Sequence, residues 1–206
     1  MLLGCAKLAT LSNSRGRCTE MAQSRIKTRA AALALGVLST AAAEAATISV
    51  EQLGPAAIVT VQGALDARDG ERFFAKIAPL VTARVRLQGS GGSVLAGIQI
   101  GETIRLKGME TIVPADARCA SACALAWLGG SRRFLAPGAR IGLHSASDPR
   151  SGQVSGTGNA LLGAYLNRLG LSYSTVAYLV RAAPESITWL GIADAKRLGI
   201  EVNLPN

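Results

Sequence analysis

Residues 46–52 and 56–63 are apolar or alternating and rich in β-branched side chains, and Gly54-Pro55 breaks them apart, so the pattern predicts two strands joined by a turn. Apolar positions then recur at helical spacing over 67–81, at Phe73, Phe74, Ile77, Leu80 and Val81. A short strand at 84–88 runs into Gly89-Ser-Gly-Gly-Ser93. The next segment, 94–106, is helical, and its small Ala96, Gly97 and Gly101 permit close approach to a sheet. A strand at 111–114 and a small, apolar, buried helix at 121–128 follow. Strands at 133–136 and 140–144 flank a Pro137-Gly138 turn, and 145–158 is a polar, glycine-rich loop without apolar period. The end reads as helices at 160–169, 174–181 and 193–198 with a closing strand at 200–202. Strands alternating with helices imply an α/β domain with a largely parallel sheet, and neither an internal repeat nor an interdomain linker is visible.

The N-terminal stretch departs from this pattern. Met21-Ala-Gln-Ser-Arg-Ile-Lys-Thr-Arg29 is basic, 30–43 is an unbroken run of small and apolar residues, and Ala43-Glu44-Ala45 is a small-x-small cleavage signal. That order predicts a secretory signal peptide, so residues 1–45 are read as leader and 46–206 as the folded domain. Met21 is the alternative start. An uncleaved leader, attaching the chain to a membrane, is the second reading, although the apolar run is shorter than the roughly 20 residues of a spanning helix. The expected location is periplasmic or secreted.

Removing the leader changes the charge. Of the chain's 22 Lys+Arg and 13 Asp+Glu, six and two lie in 1–45, leaving 16 against 11 and a net +5 in place of +9. No dense basic stripe interleaved with aromatics appears, and aromatics are only 4% of the chain, so nucleic acid is not expected as a partner. Of four cysteines, Cys5 and Cys18 leave with the leader. Cys119 and Cys123 remain, in a compartment that permits disulfides.

Three segments carry the candidate chemistry: Gly89-Ser-Gly-Gly-Ser93, Cys119-Ala-Ser-Ala-Cys123 and Ile141-Gly-Leu-His144. A serine opening a buried helix lies near unpaired backbone N–H groups suited to a developing negative charge. Glycines past a strand end can bring another N–H to the same spot. A histidine at a strand end can take and return the serine proton. Taken alone, Ser121 also fits a plain helix N-cap and His144, the only histidine, a semi-buried strand-edge residue. Cys119 and Cys123 stand close enough for a disulfide if both lie on a helix, and fit equally two free, buried thiols. Their Cys-x-x-x-Cys spacing is not that of a thioredoxin, and with His144 they lack a fourth zinc ligand, so neither metal nor cofactor is expected.

The combination of Gly91-Gly92-Ser93-Val94 with Ala96-Gly97, of Cys119-Ala-Ser-Ala-Cys-Ala124, of 133–137 and of 141–144, closing with Leu198-Gly199-Ile200, resembles the Clp-protease branch of the crotonase-like superfamily. It is most similar to the small predicted periplasmic proteins of that branch, over about residues 56–202. The resemblance implies a crotonase-like ββα spiral (Clp-protease proteolytic subunit-like) with a helical C-terminal region. It makes Ser121 the nucleophile, His144 the general base and the backbone N–H groups of Gly92 and Ala122 the oxyanion hole. The aspartate that orients the family's histidine has no counterpart: Ile187 stands there, beside Glu185, Ser186 and Thr188. A Ser-Lys arrangement is disfavoured, since Lys76, Lys107 and Lys196 are remote from these motifs. The reading implied is an exported, ATP-independent serine hydrolase, a peptidase that takes a peptide or protein substrate through a Ser-His dyad and an acyl-enzyme, assembled as a homo-oligomer. The alternative is a catalytically silent crotonase-like module for peptide binding or assembly.

Overall fold

The computed structural model describes residues 45–205; the leader and its cleavage signal at 43–45 lie almost wholly outside them. In chain order the elements are β1 (Thr47–Leu53), β2 (Ala56–Leu65), α1 (Asp69–Ile77), β3 (Ala83–Gly92), α2 (Val94–Leu106), β4 (Glu110–Val113), β5 (Arg118–Ala120), α3 (Ala122–Leu128), β6 (Arg133–Leu135), β7 (Arg140–Leu143), α4 (Gly156–Arg168), α5 (Tyr173–Leu179), β8 (Thr188–Leu190) and α6 (Ile192–Arg197). β1 and β2 form an antiparallel hairpin, and β2–β3, β3–β4, β3–β5, β4–β6 and β5–β7 pair in parallel. β8 closes the far edge antiparallel to β7.

β3 organises the two rows of short strands. Its first half, Arg84–Arg86, pairs with β4, and Gly89 pairs with Cys119 of β5. β4 leads into β5 and then α3, and β6 leads into β7 and, after a loop, α4, so each turn lays one strand in each row before a helix. This is the ββα spiral. Alternation along β3 shows which way the sheet faces: Ala83, Val85 and Leu87 are buried, whereas Arg84, Arg86 and Gln88 are exposed.

α3 lies at the centre, with all seven of its residues buried. α2 packs on it through glycines, as a Cβ at Gly97 would meet the Ala122 backbone and one at Gly101 the Leu125 carbonyl. The Thr111 hydroxyl donates to the Trp127 carbonyl, Trp127 Nε1 donates to the Phe134 carbonyl, and the Tyr165 hydroxyl donates to the Leu125 carbonyl, so α3 is held from three sides. Buried Asp69 accepts from the Ala46 and Asp66 N–H groups and pairs with Arg72, tying the start of the domain to α1.

Three elements differ from the sequence expectation. β5 and β8 were not anticipated, being three residues each. The strand expected at 200–202 is reduced to one bridge between Asn203 and Phe134. The loop expected over 145–158 ends at Ser155, since 156–158 form the first turn of α4, and the rest is an ordered turn: Ser147 bridges Val154, Asp148 accepts from the N–H groups of Arg150 and Ser151, and the Ser155 hydroxyl caps α4 by accepting from Gly158. Those backbone donors hold the Asp148 carboxyl below its ordinary range.

Candidate active site

The site is built where β3, β5 and β7 end. Ser121 lies between β5 and α3 with φ 53° and ψ −123°, a left-handed backbone that L side chains rarely adopt. Its N–H donates to the Gly142 carbonyl at 2.7 Å, which ties the turn to β7. Its own carbonyl accepts from Ala124 and Leu125 and so starts α3. Ser121 therefore occupies the N-cap position, but its side chain makes no cap hydrogen bond and the residue is part-exposed. Ala122 follows at the first helical position, where an N–H has no intrahelical acceptor.

The glycine pair presses against this turn. Gly91 and Gly92 have φ of 108° and 118°, and a Cβ at Gly91 would stand 2.5 Å from Ser121 Cβ and 3.2 Å from the Ala122 nitrogen. A Cβ at Gly92 would run into the Leu65 backbone. Only glycine lets the end of β3 lie this close to both the serine and β2. Ser121, Ala122, Gly91 and Gly92 are thus brought to one place.

Cys119 and Cys123 form a disulfide with Cα atoms 5.2 Å apart. Cys119 is in β5 and Cys123 in α3, so the bridge joins strand to helix across the serine turn and does not run along one helix. Both cysteines are buried.

His144 follows the last residue of β7, on the strand next to that of Ser121, and is half-buried. Its Nδ1 lies 2.7 Å from the Ser145 carbonyl oxygen. A carbonyl only accepts, so the neutral ring carries its proton on Nδ1 and leaves Nε2 as the acceptor. Ser145 is itself fixed, its N–H donating to the Ala182 carbonyl at 2.8 Å, and the next N–H, of Ala146, donates to Asn159 Oδ1. Among the described residues, no hydrogen bond links Ser121 Oγ to the His144 ring.

Ile187 lies at the end of the β7–β8 ladder, whose last pair is Leu143 with Thr188, the residues that adjoin His144 and Ile187. The Ile187 Cγ2 packs over Gly142, and no side chain of 185–188 hydrogen-bonds His144. The orienting Ser145 carbonyl is a backbone group and leaves no signature in the sequence. Gly142, whose missing side chain admits Ile187 and Trp189, could have been suspected from its place two residues before the histidine. Among the described residues, no three His, Cys, Asp or Glu side chains cluster as a metal-binding set.

No protein-family model and no curated protein matches the sequence. Solved structures do resemble it. A mutant of ClpP1 from Listeria monocytogenes superposes with a TM-score of 0.57 at 19% identity, covering 72% of this chain and 92% of that one. ClpP1 from the same organism gives 0.51 at 20% identity with the same coverage. A mutant of a membrane-bound stomatin-specific protease gives 0.51 at 18% identity, covering 71% and 77%. Both kinds of neighbour are proteases by name, and the spiral of short parallel strands, with its glycine-flanked serine turn, has the Clp-protease-like fold.

Proposed function

We propose that the chain is an exported serine hydrolase of the peptidase type, acting without ATP through Ser121 and His144. The observation that carries this reading is the serine turn itself. Ser121 is held in a left-handed conformation, pressed on Gly91 and fastened to β7, at the end of the strand next to the one that delivers a histidine with Nε2 free to accept. Backbone strain of this kind persists where surrounding structure enforces it and clusters at functional sites.

Ser121 Oγ attacks the scissile carbonyl while its proton passes to His144 Nε2, and the oxyanion is met by the N–H groups of Gly92 and Ala122. The protonated ring then gives its proton to the leaving amine. Water, deprotonated by the same nitrogen, hydrolyses the acyl-enzyme and regenerates Ser121. The Ser145 carbonyl keeps the ring in the required tautomer through both steps. It is neutral, so it stabilises the imidazolium less than a carboxylate would, and a slow enzyme follows. Loss of the acid's function in a Ser-His-Asp triad lowers kcat by about 10⁴, much of it through the wrong tautomer, and here the tautomer is kept.

Export is inferred from the leader pattern and is supported by the buried disulfide, since such bridges persist in oxidising compartments. The working domain is then 46–206, placed with the small periplasmic members of the Clp-protease branch and assembled from several copies. The competing reading is a silent module that binds peptide or mediates assembly, and the observation that favours it is that His144 Nδ1 meets the Ser145 carbonyl in place of a carboxylate. Labelling of Ser121 by a fluorophosphonate separates the two.

A further inference from the structure

Strand alternation puts Arg118, Arg140 and Trp189 on the same sheet face as His144: Arg118 pairs with Arg140, Ala120 with Gly142, and Gly142 with Trp189, two residues before the histidine. The Trp189 ring lies over Gly142, where a Cβ would come within 2.7 Å of it, and the Arg118 guanidinium stands 5.6 Å from the ring centroid. Beyond the tryptophan opens a cavity of about 510 Å³ lined by Tyr178, Arg181, Ser186, Ile187, Thr188 and Trp189. Arg181 stacks on the Tyr178 ring at 4.0 Å. The cavity touches the catalytic machinery at two points. Ile187 adjoins the Leu143–Thr188 pair that His144 follows, and the Ala182 carbonyl, next to Arg181, accepts from the Ser145 N–H.

The charges of this region are unanswered within the chain. Arg118, Arg140 and Arg181 are all exposed, and among the described residues none of them takes part in an ion pair. Glu185, in the turn beside the cavity, is exposed and pairs with none of them. A guanidinium held against an aromatic ring loses little further freedom when it forms two parallel hydrogen bonds to a carboxylate, and the Ser186 and Thr188 hydroxyls add neutral donors.

We infer that this cavity is a specificity subsite for an acidic side chain, glutamate or aspartate, of an extended peptide bound at Ser121 and His144, with Arg181 its principal contact. The inference deepens the peptidase reading and rests on it for the direction of the peptide, but binding at the subsite is measurable without turnover. The chain has two tryptophans, and Trp127 is fully buried while Trp189 lines the cavity, so tryptophan emission reports occupancy.

The test titrates the Ser121→Ala chain with a Glu-containing hexapeptide and its Gln counterpart. The Glu peptide is expected to bind about tenfold more tightly and to perturb the emission. The preference should vanish in Arg181→Gln, persist in part in Arg181→Lys, and be untouched in Arg150→Gln, an arginine that does not line the cavity. Trp189→Phe should silence the signal but leave the preference intact by calorimetry. Equal binding of the two peptides, or a preference that survives Arg181→Gln, overturns the subsite. If the Glu peptide binds selectively but the unsubstituted chain hydrolyses neither peptide, the subsite stands and the peptidase reading falls.

Discussion

A methyl group at position 91 would stand 2.5 Å from Ser121 Cβ, closer than real Cβ atoms approach, on a backbone already at φ 108°. Gly91→Ala must therefore displace the serine turn or the end of β3. Overpacking of this sort lowers stability by about 1–3 kcal/mol. Thermal unfolding should fall by several degrees, with Ser121 reactivity lost in the protein that still folds. Gly163 is the control: it lies in α4 with open space around its missing side chain, so Gly163→Ala should be neutral or stabilising by up to about 1 kcal/mol. A Gly91→Ala protein as stable as its parent would mean that the close approach is not there. At this scale the sequence was readable where a backbone demand selects glycine, at 91 and 92, and it singled out Ser121, which the structure sets against that pair, and His144 as the side chains to test. It was silent on the carbonyl that meets His144 Nδ1, because any residue at 145 would supply one.

The element that matters most is α3, and two fastenings of it can be tested. The Cys119–Cys123 bridge closes a loop of five residues, from which chain entropy gives about 2 kcal/mol. The double variant Cys119→Ala/Cys123→Ala should be less stable by about that amount in urea. Thiol titration of the exported, denatured, unreduced chain should find no free thiol from either position, and two would contradict the bridge. The second fastening is Tyr165, whose buried hydroxyl donates to the Leu125 carbonyl at 3.0 Å and fits only because position 101 is glycine. Burial first, and the Glu102 carboxylate second, push its ionisation well above the ordinary value of 10.0. A group whose pKa is raised on folding contributes its full stability below the unfolded value and loses it as pH rises above that. Stability should thus decline above about pH 10 as unfolded tyrosine ionises first. Tyr165→Phe should remove much of that decline and, by leaving the Leu125 carbonyl unpaired, lower stability at neutral pH by about 1–3 kcal/mol. Urea titrations at neutral and alkaline pH read both effects. An unchanged alkaline decline in the phenylalanine variant would mean that Tyr165 does not set it. Of the elements themselves, long periodic ones such as α2 were legible. β5 and β8 escaped because three residues carry no period, and 200–202 misled because its apolar residues face the core without a neighbouring ladder.

Over the whole molecule, alternating strands and helices pointed to the α/β class, and the glycine, serine and histidine motifs to the particular spiral. Pairing could not be read in advance, because the split of β3 between β4 and β5 depends on contacts between segments far apart in sequence. The same split sets the serine turn beside the β3 glycines and ties it to β7, at whose end the histidine follows, so the three motifs belong to one folded unit. The central claim is that this unit is a working nucleophile site. It is tested most directly by treating the exported chain with a fluorophosphonate at neutral pH and mapping the adduct by mass spectrometry. The account predicts a single adduct on Ser121, absent in Ser121→Ala and at least tenfold slower to form in His144→Ala. No Ser121-dependent adduct in the folded protein would contradict it and leave a silent binding module in its place.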